Sequence, residues 1–317
     1  MTRKQWHMAA WIVGIVALAA VPFAKGGDVL ILYLSIVMVW GMFALAFDLS
    51  YSDAGLLSVG HAAFFGGGSY VTALLMLNAG WGFFSALLVA GICSAAAAGV
   101  FSVIALRLSG LFFALVTLAL AELIRLVALT RLKTWTGGYD GIPGVPRPTL
   151  GSIDFNSNQN FYLLILVIFV LVLIAVARFR GSPFGRAVRA IRINEVRAAQ
   201  LGFNVRLMKI ATYSMSGFIT GIAGGLLASL LLYANPDIMS WLTSGDVIVM
   251  TLLGGSGTLL GPVIGVAAVE GLRQLLSPIT VHWHGVVGIL FIVGTIYLPS
   301  GIAGLWKYLR GDHDRAV

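Results

Sequence analysis

Long apolar runs separated by short polar connections make up most of this chain. Runs of this length predict membrane-spanning helices, because about 20 apolar residues cross the hydrocarbon core of a bilayer. We predict spans near residues 8–24, 29–47, 57–77, 82–106, 110–130, 161–177, 209–233, 244–259, 261–278 and 285–305. The pair 244–259 and 261–278 is short and glycine-rich where it meets, so two spans and a re-entrant element both stay open. The first run resembles a signal sequence; we expect a retained anchor, with cleavage as the alternative.

Composition supports a membrane protein. Of the 317 residues, 59% are hydrophobic and 10% are charged, against about 45–50% and about 25% in soluble domains. The mean hydropathy is +0.96. These values exclude a soluble enzyme, a disulfide-stapled secreted domain and a disordered tail protein. We therefore predict an all-α polytopic membrane protein with about ten transmembrane helices, in which residues 1–317 form a single domain. The single cysteine, Cys93, is expected to be small and buried.

The basic residues indicate which side of the membrane each connection occupies. Eight of the twenty Lys and Arg residues lie between Arg178 and Lys209, with Glu195 as the one acid among them. Basic connections usually stay in the cytoplasm. Six predicted spans precede this segment and four follow it. An even number of crossings returns the chain to its starting side, so a cytoplasmic N-terminus places the segment 178–208 in the cytoplasm as well. The polar segment 131–160 then lies outside, and the C-terminus lies inside.

Motifs for catalysis are absent from the sequence. It contains no Gly-x-x-x-x-Gly-Lys-Ser/Thr phosphate loop, no Cys/His cluster at metal-ligand spacing and no Gly-x-Ser-x-Gly elbow. Each of these motifs places the groups that its chemistry requires. We therefore expect no enzymatic activity, no metal and no cofactor on this chain.

The basic segment carries the start signals of two short helices. Ser182 is suited to cap the first helix, and Pro183 is suited to its first position. The following residues divide into an apolar face and a basic face at helical spacing, namely Phe184, Val188 and Ile191, and Arg186, Arg189 and Arg192. Asn194 is placed to cap a second helix, which Gly202 ends. Two capped amphipathic helices predict either a docking surface for a partner or a helix lying on anionic lipid.

This segment resembles the cytoplasmic segment of ABC importer permeases, and more narrowly the branched-chain amino-acid permeases of the LivM type. The resemblance rests on Ser182-Pro183-Phe184-Gly185-Arg186-Ala187-Val188-Arg189-Ala190-Ile191-Arg192, on Gly55-Leu56-Leu57-Ser58-Val59-Gly60-His61-Ala62-Ala63-Phe64-Phe65-Gly66, on Thr136-Gly137-Gly138 with Asp140-Gly141-Ile142, and on Gly254-Gly255-Ser256-Gly257-Thr258-Leu259-Leu260-Gly261-Pro262. These stretches sample residues 55 to 262. One departure is Val205-Arg206, which follows Gly202 without the proline sometimes present in such permeases.

The resemblance implies a type II ABC importer fold in a bacterial inner membrane. It implies a homologous second permease subunit, two ABC ATPase subunits that hold ATP and Mg²⁺, and a periplasmic substrate-binding protein; nucleic acid is not expected. Through a Glu–Ala–Ala…Gly-like motif it assigns contact with the ATPase to Glu195, Ala198, Ala199 and Gly202. The two faces of the first short helix add Phe184, Arg186, Arg189 and Ile191 as candidates for ATPase coupling. The substrate is expected to be a branched-chain or related amino acid, with urea or a short-chain amide as the alternative.

Two other stretches are candidates for function. A glycine-rich stretch predicts either close helix packing or an interrupted helix in the translocation pathway, and its candidate residues are Ser58, Gly60, His61, Phe64 and Gly66. The outer loop predicts either an ordered cap or a docking site for the binding protein, at Gly137, Gly138, Asp140 and Gly141.

Ionisable residues within the apolar runs are expected to pair. Glu122 with Arg125 and Glu270 with Arg273 are each three residues apart, so each pair shares one helical face. An ion-coupled secondary transporter and a channel remain competing classes, but neither requires a capped basic segment.

Overall fold

The computed structural model describes residues 14, 18–23, 27–150, 153–279, 283–297 and 301–304. These residues form α1 (Asp28–Asp48), α2 (His61–Leu77), α3 (Phe83–Ala105), α4 (Leu111–Thr130), α5 (Lys133–Thr136), α6 (Asn158–Gly181), α7 (Pro183–Ile193), α8 (Glu195–Gln200), α9 (Val205–Leu231), α10 (Trp241–Gly254), α11 (Gly261–Leu276) and α12 (Trp283–Tyr297). Strand β1 (Ile142–Pro143) pairs antiparallel with β4 (Tyr233–Ala234), and β2 (Thr149–Leu150) pairs with β3 (Ile153–Asp154). The all-α architecture is confirmed.

Five helical segments are long and apolar enough to cross a bilayer, namely Asp28–Asp53, Phe83–Ala105, Leu111–Thr130, Asn158–Gly181 and Val205–Leu231. Helices α2 and α10 are apolar but shorter. Each helix from α1 to α11 that corresponds to a predicted span begins and ends within about five residues of the predicted limits, whereas α12 ends at Tyr297, eight residues before the predicted limit at 305. Most of the predicted span 8–24, with its expected role as a retained anchor or a cleaved signal sequence, lies outside the described residues.

The bundle has two ends, and the helices between them alternate in direction. At the end called here the basic end, α7 and α8 lie beside the α3–α4 connection, where Arg206 Nη2 donates to the Val103 carbonyl oxygen at 3.2 Å. At the opposite end, called the loop end, residues 140–145 meet the α9–α10 connection. There β1 pairs with β4, and Tyr233 Oη donates to the Asp140 carbonyl oxygen at 2.7 Å.

Helix α9 lies at the centre of the bundle and packs on α1, α2 and α3. Glycines allow its backbone to approach α2 closely, because a side chain at these positions would occupy the space of the neighbouring helix. A Cβ atom on Gly68 would lie 2.6 Å from the Cα atom of Gly221 and would overlap the Gly221 carbonyl oxygen. The glycines of this region therefore serve helix packing.

Two breaks interrupt the regular bundle. After α1 the chain makes a π-helical turn at Leu49–Asp53 and continues without helix to Gly60, so that α2 begins inside the bundle at His61. Helices α10 and α11 form an antiparallel hairpin whose connection, residues 255–260, lies at the basic end. They have 14 and 16 residues and so extend about 21 and 24 Å, less than the roughly 30 Å of a bilayer core. Cys93 is exposed rather than buried, which corrects the expectation above.

Candidate functional site: the basic end and its contacts

The capping residues that the sequence predicts form the two short helices at the basic end. Ser182 Oγ accepts from the Gly185 backbone N–H at 3.1 Å, and Asn194 Oδ1 accepts from the Arg197 N–H at 2.9 Å. Gly202 has a φ of +88°, a conformation that glycine adopts at helix ends. Ser182 is at once the last cap of α6 and the first cap of α7, so a single residue joins the two helices.

The apolar face of α7 attaches it to the bundle. Val188 and Ile191 are fully buried, and the Phe184 ring lies edge-on to Phe179 with 5.7 Å between ring centroids. Ile191 and Ala198, both assigned above to ATPase coupling, are thus buried within this chain and do not present a surface to a partner. Phe184, at 39% exposure, is only partly covered.

The second helix, α8, presents the exposed part of the segment. Four large apolar side chains on α8 and its flanks have 60% or more of their surface exposed, namely Ile193, Val196, Leu201 and Leu207. The candidate coupling residues Arg186, Glu195, Ala199 and Gly202 are also exposed. Contiguous exposed apolar side chains outside the bundle usually mark a surface that another component covers.

Two buried carboxylates hold the basic segment to the end of α1. Arg180 donates from Nη2 to Asp48 Oδ2 at 2.6 Å and from Nε to Asp53 Oδ2 at 2.8 Å. Arg189 Nη1 lies 3.2 Å from Asp53 Oδ1. Asp48 is 0% exposed and Asp53 is 3% exposed. We call these four residues the arginine–aspartate cluster; its two cations balance its two anions.

The cluster also reaches the connection between α10 and α11. The Gly257 N–H donates to the Asp48 carboxylate at 3.0 Å, and Arg180 Nη1 donates to the Thr258 carbonyl oxygen at 3.1 Å. Arg192 Nη1 donates to the Ser52 carbonyl oxygen in the π-helical turn. Arg189 and Arg192 on the basic face of α7 therefore bind acceptors of this chain, while Arg186 and Arg192 remain exposed.

Glu195 begins α8 and forms an ion pair with Lys209 near the start of α9. Both residues line a cavity of about 530 Å³, to which the α3–α4 connection contributes Arg107 and Leu108. The pair fixes α8 relative to α9, while the Glu195 side chain keeps 54% exposure.

The five candidate pathway residues lie together in the centre of the bundle, and all are buried. Ser58 Oγ is 2.7 Å from Tyr213 Oη, and His61 Nε2 is 2.8 Å from Ser216 Oγ. His61 Nδ1 has no hydrogen-bond partner among the described residues. A Cβ atom on Gly60 would lie 2.9 Å from the Thr117 carbonyl carbon, and one on Gly66 would overlap the Met239 side chain. In this conformation these residues are close-packed, as the packing interpretation expects.

The loop-end candidates belong to an ordered cap. Gly137, Gly138 and Gly141 have φ values of +73°, +62° and +66°, which residues with a side chain rarely adopt. Arg147 Nη1 donates to the Asn156 carbonyl oxygen and to Asn158 Oδ1, at 2.9 Å each. Partial burial of this guanidinium lowers the pKa of Arg147.

One side chain of the cap stands out from the glycines around it. Tyr139 is 72% exposed beside the exposed Asp140.

Pairing within the helices follows the predicted spacing. Arg125 Nη1 lies 3.4 Å from Glu122 Oε2, and Arg273 Nη1 lies 3.5 Å from Glu270 Oε2. No group of three or more His, Cys, Asp or Glu side chains suited to a metal occurs in the described part of the chain.

The sequence analysis missed the arginine–aspartate cluster, because it considered pairs of charged residues within one helix only. Arg180 and Asp48 are 132 positions apart, so no helical spacing links them. The available signal was two acids, Asp48 and Asp53, at the end of an apolar run, since buried acids require partners.

Comparisons with known proteins agree with this architecture. Residues 29–295 match the family described as "Branched-chain amino acid transport system / permease component". The high-affinity branched-chain amino acid transport system permease protein LivM of Escherichia coli is 29% identical over 291 residues, 84% of this chain and 68% of that protein. Its counterpart in Salmonella typhimurium is 28% identical over the same shares.

A more distant relative is a sugar import permease. The ribose import permease protein RbsC of Bacillus subtilis is 30% identical over 126 residues, 36% of this chain and 38% of that protein. No solved structure matches the chain. The chain therefore belongs to the permease family matched by residues 29–295, whose members are multi-pass membrane subunits of the ABC importer class without a catalytic role of their own.

Proposed function

We propose that this chain is one half of the translocation unit of an ATP-driven importer and that its 178–208 segment docks on an ABC ATPase. The exposed apolar side chains of α8 and its flanks are the observation that carries this proposal. They stand outside the bundle on a helix that is capped at its start, and such a surface is typical of a protein interface. The sequence has no phosphate loop, so ATP and Mg²⁺ would be held by the partner ATPases.

The proposal fixes an orientation and a set of partners. The basic end faces the cytoplasm of a bacterial inner membrane, both termini lie on that side, and residues 1–317 act as one permease domain. A homologous permease subunit completes the pathway, and a periplasmic binding protein docks on the cap at Gly137, Gly138, Asp140 and Gly141. A C-terminal green fluorescent protein fusion should fluoresce, whereas an alkaline phosphatase fusion at the same site should be inactive; the reverse result would contradict this orientation.

Docking of the ATPase is tested with one variant at each end of the bundle. Val196 is 70% exposed and Tyr139 is 72% exposed, so neither substitution should disturb folding. Val196→Asp should abolish copurification of the ATPase, because it places a charge in an apolar contact. Tyr139→Ala should keep the ATPase and lose stimulation of transport by the binding protein. Normal ATPase binding by the Val196 variant would refute docking through α8.

We propose branched-chain amino acids as the substrates, on the ground of the two LivM relatives. The ribose permease relative matches only about a third of the chain, which makes a sugar the weaker candidate. Measuring the uptake of leucine, urea and ribose by the reconstituted importer with its own binding protein distinguishes amino acid, amide and sugar substrates. Uptake of urea without leucine would contradict the amino-acid assignment.

A further inference from the structure

We propose that the residues of the arginine–aspartate cluster, Arg180, Arg189, Asp48 and Asp53, are positioning residues that transmit movement of α7 to the connection between α10 and α11. This inference rests on the proposed function, because it concerns how an ATPase docked at the basic end would act on the pathway. It assigns the link to a specific set of buried contacts away from the docking surface itself.

Arg180 is the centre of the link, since its guanidinium donates to three separate elements. Nη2 binds Asp48 at the end of α1, Nε binds Asp53 in the π-helical turn, and Nη1 binds the Thr258 carbonyl oxygen between α10 and α11. The planar guanidinium holds its donors in a fixed fork, so these partners keep a fixed arrangement relative to one another. A shift of any one element must be followed by the others or must break a charged contact.

Helix α7 is tied to this fork at two points. Arg189 Nη2 donates to the backbone carbonyl oxygen of Arg180 at 2.7 Å, while Arg189 Nη1 is bound to Asp53. Because the two aspartates are buried, loss of a cation leaves an unpaired buried charge, which is strongly unfavourable. Movement of α7 is therefore transmitted through the fork and is not absorbed by loose side chains.

The connection between α10 and α11 contains glycines in backbone conformations that other residues rarely adopt. Gly255 and Gly257 have φ values of +112° and +79°, and the Gly257 N–H is held by Asp48. From this connection α10 extends to Ser244, whose Oγ accepts from the Ala62 N–H at 2.9 Å at the start of α2. A continuous set of contacts thus leads from α7 to the residue that follows His61, in the centre of the bundle.

The test compares two arginines that are similarly exposed and that each pair with a buried carboxylate. Arg189 is 39% exposed and lies 3.2 Å from the buried Asp53; Arg273 is 46% exposed and lies 3.5 Å from the buried Glu270 on α11, away from the cluster. Arg189→Gln, Arg189→Lys and Arg273→Gln are each assembled with the ATPases, and uptake per ATP hydrolysed is measured in proteoliposomes.

Arg189→Gln should lower uptake per ATP by about fivefold or more, at the low end of measured coupling between sites. Arg189→Lys should restore most of the ratio because it keeps the charge. Arg273→Gln should leave the ratio unchanged even if the yield of protein falls. An unchanged ratio for Arg189→Gln, or an equal loss in the Arg273 variant, would overturn the assignment.

A measurement on the wild-type complex covers the case in which the Arg189 variant does not assemble. Hydrogen–deuterium exchange of residues 255–260 should change when a non-hydrolysable ATP analogue binds the ATPases. Unchanged exchange there would refute the link. Failure of the wild-type chain to bind an ATPase at all would instead refute the proposed function, so the two failures are distinguishable.

Discussion

Two adjacent glycines in α2 should respond to the same substitution with opposite signs. Gly68 faces α9, where an added Cβ atom would lie 2.6 Å from the Cα atom of Gly221. Carbon atoms in contact normally lie about 3.5–4.0 Å apart, so the two helices would have to separate by roughly 1 Å. An added Cβ atom on Gly67 would meet nothing within 4 Å.

The magnitudes follow from overpacking and from helix propensity. Gly68→Ala forces apart a close helix crossing, and overpacking of this kind costs about 1–3 kcal/mol. Gly67→Ala meets no obstacle and removes the flexibility of glycine in a helix, a gain of roughly 0.5–1 kcal/mol. Because the gain in helix propensity is common to both variants, the difference in free energy of unfolding between them should be the overpacking cost of about 1–3 kcal/mol.

The assay is unfolding by sodium dodecyl sulfate in mixed detergent micelles, followed by circular dichroism. Both variants add the same methyl group to the same helix, so propensity and hydrophobicity are matched between them. If Gly68→Ala proved as stable as Gly67→Ala, the close contact between α2 and α9 would be wrong.

Three further substitutions test other contacts. Tyr213→Phe removes the hydroxyl that lies 2.7 Å from Ser58 Oγ and should lower the free energy of unfolding by about 1 kcal/mol. An unchanged free energy of unfolding would indicate that Ser58 Oγ has another hydrogen-bond partner. Arg147→Gln should speed cleavage of the cap by proteinase K, because the contacts to Asn156 and Asn158 are lost; an unchanged rate would argue against this role. Glu122→Gln should lower the yield of protein more than it alters substrate preference, since Glu122 pairs with Arg125 and accepts from the Trp241 N–H at the start of α10; an altered preference at normal yield would contradict this structural role.

The sequence predicted what local patterns encode. Helix limits, the caps at Ser182 and Asn194, and the two pairs spaced by three residues all depend on neighbours within one or two turns. Such signals are readable because a cap or a helical face is formed by residues that are close in sequence.

Contacts across the bundle could not be read in this way. Helical spacing placed Arg189 and Ile191 correctly on two faces of α7, but it could not show that Asp53 faces the first or that the bundle covers the second. Both outcomes depend on which helices become neighbours, and that is decided by packing of the whole chain.

Helix α9 has 27 residues without a break, which makes it a rod of about 40 Å. One extremity is joined to α8 through Lys209 and Glu195, and the other is joined through β4 to the strand that follows Gly141. The two ends of the molecule are therefore connected by one uninterrupted helix, so a displacement of the cap along the axis of α9 would also displace the Lys209–Glu195 contact with α8.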